Sequence, residues 1–287
     1  AFTVAPLIHL ALIRVPEDQP APVKGSKILD VRGAAAAIRA VPGLFALILF
    51  STFNNLVGGV YMALMDPYGL TLFSVQIWGL VLGFTATGFL IGGAVVAARG
   101  LGRNPIRTML LLVIVMGLLG SLFTIREWWW LYVVGIWLYM MLIPAIEAAE
   151  QTVVQKVVPF ESQGRVFGAA TAIEVSAAPI TSFLIAPIAE FWIIPYMESG
   201  DGQRTWGWLL GDGDARGIAL VFLFSGLVMV VIAVLAFATK SYRILSAGYA
   251  TAPETDVAAG DAPGDDPAGS VPPASVAQAR GGVAEQS

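Results

Sequence analysis

The sequence predicts an all-α integral membrane protein with six transmembrane helices, and three observations predict it. Apolar residues make up 57% of the chain and charged ones 13%, where a soluble domain carries about a quarter charged. Hydrophobic blocks recur at lengths that match the roughly twenty residues needed to cross a bilayer, and mean hydropathy is +0.76. Basic residues crowd into alternate connections between the blocks. No Cys occurs, which excludes disulfides and thiolate metal sites.

The chain opens AFTVAPLIHLALIRVP. About thirteen apolar residues are too few for a span, so residues 1–13 are expected to be the truncated end of a transmembrane helix that begins upstream. The absence of a basic leading region argues against a secretory signal. His9 is the only His, and without a second one it is expected to be packed or interfacial rather than a proton relay. Residues 14–43 are polar with five Lys or Arg and read as a central loop with a short amphipathic helix near residues 28–40.

The expected spans are 44–64, 73–98, 108–124, 128–157, 166–194 and 217–238, within a six-helix bundle over residues 44–239. The third and fourth are joined by a tight turn at Arg126-Glu127. Trp128, Trp129 and Trp130 mark an interface there, because aromatic residues favour the headgroup level. Gly79 with Gly83, and Gly88 with Gly92, have the small-xxx-small spacing of close helix packing. Residues 195–216, rich in Gly and Asp, read as a loop, and 240–287 as a disordered tail. From residue 250 onward six acidic residues face one Arg, a composition that cannot bury enough apolar surface to offset ordering entropy.

Arg14, Lys24, Lys27, Arg32, Arg39, Arg99, Arg103, Arg107, Lys156, Arg165, Lys240 and Arg243 fall on one side, against Arg126, Arg204 and Arg216 on the other. Twelve against three is a positive-inside signal. It places the central loop and the C-terminus in the cytoplasm of a multi-pass cell-membrane protein.

Four carboxylates stand in the fourth and fifth spans. Counted from the tryptophans at about 1.5 Å per residue, Glu147 and Glu150 lie about 25 and 30 Å in, at the cytoplasmic rim together with Gln151 and Arg165. There water, Lys156 or Arg165 can compensate them. Glu190 falls beyond the opposite edge. Glu174, about 13 Å from Arg165, is near the midplane, where a carboxylate is costly and marks a pathway for ions or substrates. It shares a small, polar stripe with Ala178 and Ser182, flanked by Thr171 and interrupted by Pro179. Such a stripe either packs closely against another helix or lines a cavity. The carboxylate tips it toward the cavity, with Glu174 the proton-coupling candidate and Asn54, Asn55, Thr171 and Ser182 the substrate-cavity candidates. For Asn54 and Asn55 an interhelical hydrogen bond is the competing role.

The sequence has no HExxH, no His or Cys cluster and no phosphate-binding GxxxxGK loop, so an enzyme, a metal site, a cofactor or an ATP-driven pump is not expected. The basic loops are accounted for by topology, and nucleic acid is not an expected partner.

The segment EAAEQTVVQKVVPFESQGRVFGAATAIEVSAAPI, residues 147–180, resembles the passage between the tenth and eleventh helices of major facilitator superfamily transporters, most closely drug:proton antiporters of the macrolide-efflux type. The stretch FWIIPYMESGDGQRTWGWLLGDGDARGIAL is similar to the outer loop before their last helix. The resemblance implies the C-terminal half-bundle of a twelve-helix fold, preceded by the end of the sixth helix, made of two inverted three-helix repeats and binding substrate near the midplane. The implied partners are the bilayer, a small-molecule substrate, protons as coupling ion and the missing N-terminal half. The implied activity is efflux of amphiphilic, often cationic, drugs by alternating access. The chain departs from the family at GGAVVAARGLGRNPIR, where Ala97 and Ala98 replace the usual acidic residue beside Arg99 and Arg103. Two other functions remain open: a non-transporting six-helix scaffold or sensor, and an uptake transporter of the same fold.

Overall fold

The computed structural model describes residues 31–251 apart from Asp212 and Asp214. The expected helix remnant with His9, most of the central loop and the tail beyond residue 251 lie outside the described residues.

Ten α-helices are described, with no strand among the described residues: α1 Val31–Ala40, α2 Leu44–Leu72, α3 Val75–Arg99, α4 Pro105–Leu122, α5 Trp129–Val157, α6 Phe160–Ile188, α7 Ile194–Glu198, α8 Gly200–Leu210, α9 Arg216–Ala238 and α10 Lys240–Thr251. A π-helical turn, Ala189–Ile193, fuses α6 to α7. Six helical runs are long and apolar enough to span a bilayer, so this is a multi-pass membrane protein.

Local chemistry sets the boundaries. Gly43, at φ 88°, turns the chain into α2. Gly100, at φ 66°, ends α3 in a conformation that costs glycine little. Pro105 occupies the first turn of α4, and the Asn104 side chain accepts from the Arg107 backbone N–H at 3.1 Å, a proline-and-cap start.

Three expectations are corrected. The first span runs to Leu72 and carries Pro67 inside it, well past the expected end at 64. The segment expected as a loop over 195–216 is largely helical, as α7 and α8. The expected disordered tail does not begin at 240, because α10 is helical to Thr251. Its aromatic and aliphatic side chains supply the reason: Leu245 is buried, and Tyr242 packs on Phe237.

The spans pair in a regular way. The extensive packing partners are α2 with α6, α3 with α5, and α4 with α9, followed by α4 with α5 and α9 with α2. Exchanging α2 with α5, α3 with α6 and α4 with α9 maps each of these pairs onto another of them or onto itself. The first three spans and the last three therefore take equivalent places in this pairing.

Without a hydrophobic drive between helices in lipid, close packing depends on small residues. At the α4–α9 crossing, a Cβ on Gly117 would stand 2.7 Å from the Gly226 carbonyl oxygen, and one on Gly226 would strike the Gly117 carbonyl and Ser121. Ser121 Oγ, wedged there, donates to the carbonyls of Gly117 and Leu223 at 3.0 and 3.1 Å. Gly88 and Gly92 press against the α5 backbone at Trp137 and Met141, as their spacing predicts. Gly79 and Gly83 instead have nothing within 4 Å.

Gly226→Val should lower stability by about 1–3 kcal/mol, the usual overpacking cost, whereas Gly79→Val should be close to neutral. Thermal denaturation of the detergent-solubilised protein reads both.

Candidate functional site

The main cavity, about 510 Å³, is lined chiefly by α2 and α5, the two helices that exchange with one another in the repeat. Asn54, Asn55, Gly58, Tyr61, Met62, Met65 and Asp66 form one face of α2. Ile136, Tyr139, Met140, Ile143, Ile146, Glu147 and Glu150 form one face of α5. Each set recurs at three- and four-residue steps, the spacing of a single helical face. Its volume falls within the range of small-molecule sites, about 300–1,000 Å³. Among the described residues no Lys, Arg or His lines it.

The carboxylates do not divide as depth arithmetic predicts. Glu150 of α5 meets both Ser51 of α2 and Glu174 of α6, with Glu147 one turn back along α5. Glu150 and Glu174 are thus partners, and Glu150 does not stand apart at the rim. The arithmetic fails because α5 has 29 residues, a length of about 43 Å, which exceeds a hydrocarbon core of about 30 Å. Depth counted from the tryptophan end overshoots by the excess. Counted from Val157, Glu150 lies about 10 Å in, inside the helix and away from its end.

Among the described residues no ion pair compensates Glu147, Glu150 or Glu174. Lys156 is not available in the expected way, since its ammonium stands over the Tyr249 ring at 4.4 Å. Arg165 and Gln151 are exposed and do not line the cavity. Glu174 Oε1 and Asn54 Oδ1 are buried with no hydrogen-bond partner. Asn55 lines the cavity while its Nδ2 donates to the Ser51 carbonyl at 3.0 Å.

Two cavity candidates are corrected. Ser182 Oγ donates to the Gly59 carbonyl at 2.9 Å, and a Cβ on Gly59 would collide with the Ala178 backbone. The small stripe of α6 is therefore a packing face against α2, and Ser182 is its fastener. Thr171 lies on the opposite, exposed side, in a shallow groove with Phe167, Val175 and Pro179. The same packing delivers Glu174 to Glu150, because the stripe holds α6 tightly against α2 and so against Ser51. Glu190 is exposed on the π-turn.

Sequence reasoning missed two groups. Asp66 lines the far end of the cavity and accepts from Trp78 Nε1 at 2.9 Å. The span was expected to stop before it, although the face repeat Asn55, Met62, Asp66 continues through it. Arg216, counted as a loop residue, is 2% exposed. Its guanidinium reaches Glu127 at 2.8 Å, the Tyr68 hydroxyl at 3.0 Å and the Leu210 carbonyl at 2.8 Å. It ties α2, the α4–α5 turn and the α8–α9 connection together. The sequence signal was the Arg at the start of an otherwise uncharged helix.

The chain matches no family model, and no curated protein or solved structure matches it.

Glu127→Gln would remove the charged partner of a guanidinium that stays buried among neutral acceptors. The expected loss is about 1.5–3 kcal/mol, typical of a hydrogen bond to a charged group, read as a lower thermal midpoint. Glu190→Gln, on the exposed π-turn, should not move it.

Proposed function

We propose that this chain is one six-helix half of a secondary active transporter that exports amphiphilic small molecules in exchange for protons. The observation that carries this reading is the meeting of Glu150 and Glu174 at one end of the cavity, with no cation of the described residues beside them. Two carboxylates brought together disfavour ionising at the same time, so the pair favours holding one proton between them until a cation takes its place. Glu150 lines the cavity and Glu174 is reached through it. A proton on the pair therefore communicates with whatever occupies the cavity.

The cycle follows from that contact. Substrate entering from the cytoplasmic side displaces the proton to the cytoplasm. A proton arriving from outside restores the singly protonated pair and favours release. Glu147, one turn away on the cavity wall, attracts a cationic portion of the substrate. Asn54, with an unengaged carbonyl oxygen, offers an acceptor deeper along the wall.

The exposed spans support a second half. Only 17% of the most apolar stretch of α3 is buried and only 11% of that of the α6–α7 run, against 50% for α4 and for α9. These two poorly covered spans exchange with one another in the repeat, so a matching bundle would cover equivalent faces on either side of the cavity. The resemblance of residues 147–180 to major facilitator antiporters supports the same reading, with the C-terminus cytoplasmic and the protein in the cell membrane.

Export of a fluorescent amphiphile from cells carrying the complete gene, followed while external pH is lowered, tests this. Export should rise as the inward proton gradient grows. Glu174→Gln should abolish that dependence, because an amide cannot exchange a proton. Export and pH response both unchanged in Glu174→Gln would sink the reading, and accumulation in place of export would reverse its direction.

A further inference from the structure

Asp66 has no part in the proton site, yet it lines the same cavity at its other end. Ser51, which faces Glu150, and Asp66 stand on one unbroken helix about four turns apart, or roughly 22 Å. Trp78 Nε1 fixes the Asp66 carboxylate at the wall and engages one of its two oxygens. Trp78 is itself held, stacked between Phe73 and Tyr132. Apart from Asn54 and Asn55, the wall between the two acidic ends is soft and largely apolar, with Met62, Met65, Met116 and Met140 beside Tyr61 and Tyr139. Methionine surfaces adapt to flexible apolar chains, and aromatic faces accept organic cations.

A single positive charge uses only one end of such a cavity and leaves the other carboxylate without a counterion. From this arrangement we infer that the preferred ligand is a dication: two ammonium groups joined by a flexible apolar spacer, one paired with Asp66 and the other with Glu147 and Glu150. With about 4 Å of ion-pair contact at each end, the ammonium groups stand roughly 14 Å apart. A long-chain α,ω-diammonium compound has this form. The inference rests on reading the cavity as the substrate site.

Equilibrium binding to the purified complete gene product in nanodiscs tests it, with decamethonium, hexamethonium and decyltrimethylammonium as probes. Decamethonium should bind severalfold tighter than the monocation, the effect of roughly one added ion pair at a solvent-accessible carboxylate. Hexamethonium, too short to reach both ends, should gain nothing. Asp66→Asn should remove the advantage of decamethonium and leave decyltrimethylammonium unchanged. Trp78→Phe, which keeps a ring in place and only releases Asp66, should lower decamethonium affinity alone and serves if the first variant folds poorly. The inference is overturned if decamethonium and the monocation bind alike, if Asp66→Asn weakens both equally, or if none of the three binds. A protein that binds with the spacer preference but exports nothing would refute transport and keep the dication site. Export of the monocation without any preference would do the reverse.

Discussion

Close backbone contact between small residues is the constraint on which the rest of this bundle depends. Gly117 and Gly226 let α4 and α9 touch, Gly59 lets α2 touch α6 at Ala178, and Gly88 with Gly92 lets α3 touch α5. In lipid the side chains gain nothing by leaving hydrocarbon for hydrocarbon, so dispersion at short range and hydrogen bonds across helices hold the spans. Ser121 and Ser182 make such bonds at two of these contacts. The polar groups of the cavity are placed as a consequence. With α6 held against α2, Glu174 stands beside Glu150.

That placement joins structural economy to chemistry. A lone carboxylate among apolar spans is costly, and a second one beside it would be worse if both were charged. Sharing a proton relieves the cost, and it makes the protonation state of the pair sensitive to a cation in the cavity. At the opposite end the charge balance is different: Arg216 is fully buried but meets Glu127, Tyr68 and backbone carbonyls, so it acts as a fixed tie. One end of the bundle is clamped by a compensated charge, and the other carries carboxylates that no ion pair among the described residues compensates.

Much of the architecture was legible in the sequence, because span length and apolar composition are direct consequences of bilayer thickness. The six spans, the tight turn before Trp128 and the packing role of Gly88 and Gly92 could all be read this way. The site was legible only in part. Asn54 and Asn55 do line the cavity, Glu147 and Glu150 line it although expected at the rim, and the four-residue stripe through Ser182 gives a face without naming the neighbour it meets. That neighbour is α2, far away in sequence. The partnership of Glu150 with Glu174 was hidden for a related reason. Depth counted along a helix assumes a span no longer than the membrane is thick, and α5 is longer. Asp66 was hidden by Pro67, which reads as a helix end although the helix continues through it.

The claim that Glu150 and Glu174 act as one unit is tested most directly by a double-mutant cycle on proton-driven export, with Glu150→Gln, Glu174→Gln and the pair together. Residues that share one proton are strongly non-additive, so the double variant should be no more impaired than the worse single one. Effects that multiply, with each substitution reducing export independently, would contradict the account.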